Sequence, residues 1–421
     1  MSQSKRKNMF KDVPYTGVVY VIKEAMKLGF YRGSPEWCNL GQGQPEIGML
    51  VDGVDRVQNI SLEPNDHEYG STVGLKKLRQ QIADNYNTLY RADKESKYTY
   101  ENVAICPGGR AALTRLGAAI GNVNLGHFIP DYTAYEEMLS VFRSFNPIPI
   151  LLEAEKGYSF SIEDLKREIS GRGLGGLLIS NPCNPTGKLI SGQALNDWVA
   201  TARDLDCTMI MDEFYSSYSY VTPAGMPVSS AKYIEDVNDD PIVIVDGVTK
   251  NWRYPGWRIA WVVAPKIVIK SLSSSGSFLD GGANKPFQQE ISRFLTVDNI
   301  KKETSALQKT FRAKRRVLLD GLQDIGVTFD REPEGAFYAW GNVAQLPAGL
   351  NTGMDFFRAA MEKQVVVVPG EFFDINPGNR RGSSRFGTYI RFSFGPEITV
   401  IENAVKRLKE LVLEYRCDTG V

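Results

Sequence analysis

The chain has 421 residues, of which 43% are hydrophobic and 23% are charged, so it can bury a large core. Its 49 basic and 49 acidic residues give a formal net charge of +0, which disfavours nucleic acid or an anionic membrane as the main partner. No apolar run approaches the roughly 18 residues of a membrane span. Five scattered cysteines form no CxxC pair, which is typical of a reduced, cytoplasmic protein.

The histidine content restricts the chemistry further. His67 and His127 are the only two histidines, so a zinc site built from paired histidine or cysteine ligands is not expected. Ser-His-Asp chemistry would need one of them, and no G-x-S-x-G stretch accompanies either. We therefore predict no metal site, and we expect any enzymatic proton transfer to use another group.

Strands and helices alternate through the middle of the chain. The predicted strands are 102–106, 127–130, 148–152, 176–180, 207–212, 242–247 and 258–264. The predicted helices between them include 109–120, 133–144, 161–170 and 191–205. This alternation predicts an α/β fold in which helices flank a mostly parallel, seven-stranded sheet. Ligands of such sheets bind beyond the carboxyl ends of the strands.

The last third of the chain has a different pattern. Its predicted elements are a long charged helix over 300–322, strand-like runs at 335–340, 365–370 and 389–394, and a final helix over 398–415. They predict a smaller α+β domain that the start of the chain completes. We expect residues 1–60 and 305–421 to form this domain and residues 61–304 to form the large one.

Several predicted strands end in residues that could carry chemistry. Asp212 ends an apolar run, where a carboxylate is costly without a cation or a strong donor, although a cap or an ion pair would explain it. Gly108–Gly109 lead into a helix, and amides at such a turn suit a phosphate, although glycines also simply close turns. Lys250 follows the strand 242–247, where a solvated strand tip is the simpler explanation.

These residue types together match the parts of one cofactor. A phosphate needs a glycine turn and an arginine, whereas a pyridine ring needs an acid, a hydrogen-bond donor and an aromatic face. An aldehyde needs a lysine. Pyridoxal 5'-phosphate (PLP) contains all these groups, and the chain also offers Asn184 in a proline-rich turn and Tyr132 just past a strand.

Three motifs resemble one family. The segments "SNPCNPTG" (180–187), "MDEFY" (211–215) and "TKNWRYPGWRIAW" (249–261) match, in order and spacing, the class I and II aminotransferases. These are PLP enzymes with the aspartate-aminotransferase-like fold. The resemblance covers about residues 38–395, with weaker support from "LGQGQPE" (40–46) and "YIRFSFG" (389–395).

The resemblance implies a role for each matching residue. Lys250 would form the Schiff base, Asp212 would pair with the pyridine nitrogen, and Tyr215 and Asn184 would donate to the phenolate oxygen. Tyr132 would stack on the ring. The remaining matches are listed by role: Gly108, Gly109 and Arg258 for the phosphate, Gly43, Asn184 and Arg391 for the substrate, and Tyr69 for the phosphate of a neighbouring subunit. Tyr69 therefore implies a homodimer with shared active sites.

The phosphate site departs from the family pattern. Gly247 stands where a serine hydroxyl is common, which leaves Thr249 to supply a hydroxyl. Gly109 also replaces a common serine or threonine, and we hypothesise that Arg110 compensates by reaching the phosphate.

Neighbouring polar residues have simpler interpretations. We expect Glu213 to face away from the ring, Asp246 to cap its strand end, and Asn181 to support a turn. The pocket for the substrate side chain would draw on residues 14–33, including Val18, and on a loop near 278–286 of a neighbouring subunit.

The resemblance implies a transaminase of amino acid metabolism, in which an L-amino acid donates its amino group and a 2-oxo acid receives it in a ping-pong mechanism. Because a fold does not determine a reaction, another PLP enzyme of this fold (a lyase, decarboxylase, oxidase or cyclase) is the alternative. A PLP-binding domain of a transcription regulator is disfavoured by the neutral charge and by the presence of Lys250 and Asp212. The amino donor and acceptor stay open.

Overall fold

The computed structural model describes residues 13, 15 and 17–419. Its α-helices are α1 Gly17–Lys27, α2 Lys76–Tyr90, α3 Gly109–Ala119, α4 Ala134–Val141, α5 Ile162–Arg172, α6 Gly192–Asp204, α7 Lys266–Leu279, α8 Lys285–Phe294, α9 Val297–Asp324, α10 Gly353–Glu362 and α11 Ile398–Thr419. Its strands are β1 Cys38–Asn39, β2 Val103–Cys106, β3 Asn124–Ile129, β4 Asn146–Leu151, β5 Leu174–Ser180, β6 Thr208–Asp212, β7 Ile242–Gly247, β8 Ala260–Val263, β9 Tyr338–Asn342, β10 Val365–Val366, β11 Val368–Pro369 and β12 Tyr389–Ser393. No helix in these described stretches is both long and apolar enough to cross a bilayer.

The large sheet has seven strands in the order β2-β8-β7-β6-β5-β3-β4. All neighbouring pairs from β7 to β4 are parallel, whereas β8 runs antiparallel to both β7 and β2. Parallel neighbours need a long crossover, which is usually a helix. The connection from β7 to β8 is short and contains no α-helix, so β8 returns antiparallel to β7. The predicted mostly parallel seven-stranded sheet is confirmed, and β8 is its antiparallel exception.

Burial explains why the central strands are continuously apolar in sequence. All six residues of β7 are buried, as are the four of β2 and the four of β8. Helices such as α3 and α7 cover these strands, so neither face of the sheet centre meets water. The strand ends are consequently the places where polar side chains can face a cavity.

The two chain ends form smaller sheets. β9, β11 and β12 make an antiparallel sheet, and β1 pairs in parallel with β10 through Cys38–Val365 and Asn39–Val366. An early segment of the chain therefore joins the last third, as the sequence predicts. The expected domain boundary at 305 falls within the 28-residue α9, whose first turn is capped by Thr296, and the division into domains stays a prediction.

The sheet topology brings the proposed site residues to one edge. β5, β6 and β7 are parallel neighbours that end at Ser180, Asp212 and Gly247. Because parallel strands share the edge at which they end, the residues that follow them converge there. Arg391 of β12 approaches the same edge through a hydrogen bond to Asn184.

Gly247 is required by the close approach of β8. A Cβ at this position would lie 2.7 Å from both Ala260 Cα and the Ile259 carbonyl oxygen. This backbone crowding gives a physical reason why the family hydroxyl is absent at 247, since any side chain would displace β8.

We expect Gly247→Ala to lower the free energy of unfolding by about 1–3 kcal/mol, the usual cost of overpacking a rigid site. Gly121→Ala is the matched control because no atom lies within 4 Å of the position that a Cβ would take there, and a change within about 0.5 kcal/mol is expected. Chemical denaturation of both variants measures the difference. Equal stabilities would contradict the steric explanation.

Candidate active site

A cavity of about 430 Å³ opens at the carboxyl edge of the large sheet. Its lining contains eleven of the residues that the sequence predicted: Gly43, Gly109, Arg110, Tyr132, Asn184, Asp212, Tyr215, Thr249, Lys250, Arg258 and Arg391. Val18 of the expected side-chain segment also lines it, whereas residues 14 and 16 of that segment lie outside the described residues. The structure thus brings together side chains from widely separated parts of the chain.

Lys250 lies in this cavity with an amine that is easily deprotonated. Its Nζ donates a hydrogen bond to the Gly43 carbonyl oxygen. Removal from water is the main cause that lowers the pKa of this amine to about 7, and the positive charges of Arg391, Arg110 and Arg258 contribute to the shift. A substantial fraction is therefore neutral and nucleophilic near pH 7.

Asp212 provides the acidic group in the cavity. Burial raises the pKa of its carboxyl to about 6, while a hydrogen bond from the Tyr135 hydroxyl to Oδ2 (2.7 Å) counteracts that rise. The backbone N–H of Phe214 makes a longer contact with Oδ1 at 3.5 Å. Asp212 is consequently mostly ionised above pH 6, as a partner for a protonated ring nitrogen must be.

Arg391 is buried with one donor unused. It donates from Nη1 to Asn184 Oδ1 (3.0 Å) and from Nη2 to the Gly41 carbonyl (2.6 Å), whereas its Nε has no partner among the described residues. The guanidinium also lies 4.3 Å from the centre of the Tyr338 ring. A buried donor without a partner is costly, so this arginine suits a planar anion that enters the cavity.

The glycine turn before α3 lets an arginine approach its amides. Gly108 has φ +94, and a Cβ there would collide with Arg258 Nη2. A Cβ on Gly109 would collide with the Phe214 ring at 2.5 Å. The buried Thr249 Oγ1 has no hydrogen-bond partner within the described part of the chain. The N-terminus of α3, an arginine and a free hydroxyl therefore line one end of the cavity, which is a suitable environment for a phosphate.

Arg110 and Tyr132 form a pair across the cavity. Arg110 donates to the Tyr132 hydroxyl from Nη2 (3.2 Å) and from Nε (3.4 Å). This contact raises the pKa of the Arg110 guanidinium, chiefly through its attraction to Tyr132. The predicted contact of Arg110 with a phosphate stays a prediction, and the structure adds a tyrosine partner that the sequence did not indicate.

A second pair of tyrosines lies beside Lys250. The hydroxyls of Tyr215 and Tyr338 are 2.9 Å apart, and Tyr338 was not identified from the sequence. A Cβ on Gly43 would lie 2.9 Å from the Tyr338 hydroxyl. Glycine at this position therefore lets the Gly43 backbone lie close to both Tyr338 and Lys250. Tyr69, by contrast, is 100% exposed and does not line the cavity.

The structure gives each of three neighbouring polar residues a partner within the protein. Asp246 accepts a hydrogen bond from the N–H of Gly247 at the end of β7. Glu213 accepts from the backbone and hydroxyl of Ser230. Asn181 exchanges two hydrogen bonds with the backbone of Ile190 and thereby supports the proline-rich turn.

Sequence reasoning missed several residues of the site. Besides Tyr338, the cavity lining includes Gln42 and Gln44, and Tyr135 contacts Asp212 from α4. Tyr135 comes three residues after Tyr132, a spacing that places both near one side of a helix start. Arg32 also lines the cavity and lies within the segment 14–33 that the sequence indicated for the pocket.

Comparison with known proteins identifies the family. A model described as "Aminotransferase class I and II" matches residues 35–408. The chain belongs to the class I and II aminotransferase family. The chain is accordingly an aminotransferase, as the sequence predicts, of a family that depends on PLP. No cluster of metal-ligating side chains occurs within the described ranges.

Curated relatives match nearly the whole chain. The aspartate aminotransferase of Sulfolobus acidocaldarius is 26% identical over 388 residues, which cover 89% of each chain. The LL-diaminopimelate aminotransferase of Moorella thermoacetica is 25% identical over 382 residues and covers 89% of this chain and 90% of its own. These two names describe different substrates, so family membership alone leaves the amino donor open.

Solved structures share the fold. The aspartate aminotransferase from Thermus thermophilus with maleate superposes with a TM-score of 0.77 at 21% identity, covering 94% of this chain and 97% of its own. An aminotransferase from Mycobacterium tuberculosis gives a TM-score of 0.78 at 22% identity, covering 96% and 97%. The predicted α/β fold with its smaller α+β part is confirmed.

Tyr135→Phe tests the partner of Asp212. Loss of the hydroxyl removes a hydrogen bond that favours the ionised carboxylate, so the pKa of Asp212 should rise further. The acidic limb of the pH profile of kcat/KM should therefore move upward by about one pH unit, since a hydrogen bond to a charged group contributes roughly 1.5–3 kcal/mol. Tyr158→Phe, whose hydroxyl bonds to the distant Asp330, is the control, and identical profiles in all three proteins would refute the role of Tyr135.

Proposed function

We propose that this aminotransferase binds PLP in the cavity through Lys250 and transfers the amino group of an L-amino acid to a 2-oxo acid. The observation that carries the proposal is the environment of the Lys250 amine. Burial and the charges of three arginines lower the pKa of this amine to about 7, and Asp212 is its counter-charge. An amine with this pKa acts as both nucleophile and base near neutral pH.

The unpaired polar groups of the cavity support the fit of PLP. The phosphate would contact the α3 amides at Gly109, the Arg258 and Arg110 guanidinium groups and the free Thr249 hydroxyl. The ring would lie against Tyr132. These groups offer positive charge and hydrogen-bond donors where a dianion would enter. A side chain at position 108 would collide with Arg258, so glycine keeps this arginine close to the α3 amides.

The catalytic work divides between four side chains. PLP, when bound, accepts the electrons that remain when the substrate Cα loses a proton. Asp212 keeps a proton on the ring nitrogen because its carboxylate stays ionised above about pH 6. Lys250 Nζ would take the proton from the substrate Cα and deliver it to the carbon of the PLP aldehyde group. Tyr215, together with Asn184, would orient the ring by donating hydrogen bonds to its phenolate oxygen.

The substrate would be oriented by its α-carboxylate. Arg391 offers a free Nε–H in addition to the groups that contact Asn184 and Gly41, and burial strengthens its attraction to an anion. The carbonyl of Gly43 lies at the same end of the cavity and would face the substrate once Lys250 leaves it. The L-amino acid thus presents its Cα to Lys250.

We also propose that the enzyme is a cytoplasmic homodimer with shared sites. Tyr69 is fully exposed and follows a segment that carries further exposed apolar side chains such as Ile47, Met49 and Leu62. An isologous contact over this surface would bury them and would bring Tyr69 to the phosphate of the neighbouring subunit. Residues 1–60 and 305–421 would form the small domain around residues 61–304.

Absorbance of the purified protein tests this function. PLP joined to Lys250 should give an absorbance band that changes with pH and that the protein without PLP does not show. Lys250→Ala should lose that band and lose at least about 10³-fold in kcat, since it removes the positioned nucleophile and base. Lys250→Arg, which keeps a cation, is the control for simple loss of charge.

The reaction itself is tested with a panel of L-amino acids. A donor should abolish the band, and a 2-oxo acid should restore it in the absence of the donor, as a ping-pong mechanism requires. Release of ammonia, carbon dioxide or peroxide without an acceptor would instead favour the alternative lyase, decarboxylase or oxidase. A protein that forms no band with added PLP would overturn the cofactor assignment.

Arg110→Ala tests the proposed compensation at the phosphate. Loss of a charge-assisted hydrogen bond should weaken PLP binding by about tenfold or more. Arg32→Ala is the matched control, because Arg32 also lines the cavity but is not expected to reach the phosphate. Equilibrium titration of the apoprotein with PLP measures both constants, and an unchanged constant for Arg110→Ala would reject the role.

A further inference from the structure

A cluster of hydrogen bonds lies behind the lysine, away from the cavity. Asp246 Oδ1 accepts from the N–H of Gly247 (2.6 Å) and from Asn251 Nδ2 (2.9 Å). Gly247 ends β7 and Asn251 directly follows Lys250, so both bonds fasten the turn that carries the lysine. Asp246 and Asn251 are both buried.

The same cluster reaches the segment that follows Asp212. Asn251 Nδ2 also donates to Ser216 Oγ (2.8 Å), and Asn251 Oδ1 accepts from the N–H of Ser217 (3.1 Å). Ser216 Oγ lies 3.4 Å from Asp246 Oδ2. We call Asp246, Asn251, Ser216 and Ser217 the reverse cluster.

The sheet register explains the position of the reverse cluster. Asp212 of β6 pairs with Val245 of β7, and Glu213 N–H donates to the Val245 carbonyl at 2.8 Å. Successive side chains of a strand point to opposite faces, so Asp246 points away from the face that Val245 and Asp212 share. The reverse cluster therefore joins the backbone segments of Lys250 and Asp212 on the face of the sheet opposite Asp212. Its residues do not line the cavity.

The reverse cluster is held by hydrogen bonds and not by ion pairs. No lysine or arginine in the described part of the chain donates to Asp246, and Glu213 on the neighbouring strand end is occupied by Ser230. Burial raises the pKa of the Asp246 carboxyl well above its ordinary value, and the neighbouring Glu213 and Asp212 add to the effect. Asparagine has nearly the same shape as aspartate and keeps the Oδ1 acceptor that Gly247 and Asn251 use.

We propose that Asp246 is a positioning residue that sets the spacing between Lys250 Nζ and the Asp212 carboxylate. The inference rests on the proposed function, because the aldehyde carbon and the ring nitrogen of PLP are a fixed distance apart on a rigid ring. Lys250 and Asp212 must match that distance together. Two segments that are fastened to one buried cluster keep their separation, whereas two independent loops would not.

Asp246→Ala and Asp246→Asn test the proposal in the PLP-loaded enzyme. Alanine removes the acceptor for both Gly247 and Asn251, so kcat should fall by about 10²-fold, the usual effect of a displacement near 1 Å. The pH at which the absorbance of Lys250-bound PLP changes should also move. Asparagine keeps the oxygen that accepts from Gly247 and Asn251, the two bonds that fasten the lysine turn, so both readouts should stay near those of the wild type.

Asn251→Ala gives a second variant if Asp246→Ala does not fold, with the same shift in the absorbance titration expected. Asp240→Asn is the control for the loss of a buried acid, since Asp240 pairs with Arg203 far from the lysine turn. It should lower the melting temperature but leave the titration unchanged.

Two results would overturn the proposal: an unchanged titration in Asp246→Ala or Asn251→Ala, or an Asp246→Asn variant as impaired as alanine. Failure of the proposed function is a separate observation, because the wild type would then show no absorbance band that depends on Lys250.

Discussion

The burial of the Lys250 amine among positive charges is the constraint on which the rest of the site depends. Arg391, Arg110 and Arg258 all disfavour protonation of this amine, and the charge of Asp212 opposes them. Such a concentration of positive charge around one amine is unfavourable unless anions enter the cavity. A phosphate at one end and a carboxylate at the other would supply them, so the charges that lower the pKa of Lys250 would also favour an anionic cofactor and substrate.

The large sheet positions these charges with little freedom. β5, β6 and β7 end side by side, and the connection from β7 to the antiparallel β8 carries Lys250 and Arg258 past the same edge. Gly108 and Gly247 permit this arrangement by omitting side chains where Arg258 and β8 approach. Rigid strands and close backbone packing thus maintain the catalytic distances, as precise catalytic geometry requires.

The carboxylate end of the cavity is assembled from three distant parts of the chain. Arg391 lies on β12 of the smaller sheet, its partner Asn184 follows β5 of the large sheet, and Gly41 follows β1. A substrate that binds Arg391 consequently contacts both sheets at once. Binding energy at this carboxylate can therefore stabilise one arrangement of the two parts around the reacting atoms, which is how enzymes use remote contacts to promote the chemical step.

The sequence by itself determined the fold class and the principal chemistry, because these depend on local signals: buried β-branched runs before Asp212 and Lys250, a glycine turn before a helix, and three ordered motifs. Only the tertiary structure decided which side chains of the site contact each other. The contacts of Tyr135 with Asp212, of Tyr338 with Tyr215 and within the reverse cluster could not be predicted from the sequence, because nothing in the spacing of these residues indicates that they meet. The antiparallel β8 and the steric need for Gly247 also appeared only after folding, since register and backbone proximity are properties of the packed sheet and not of the chain.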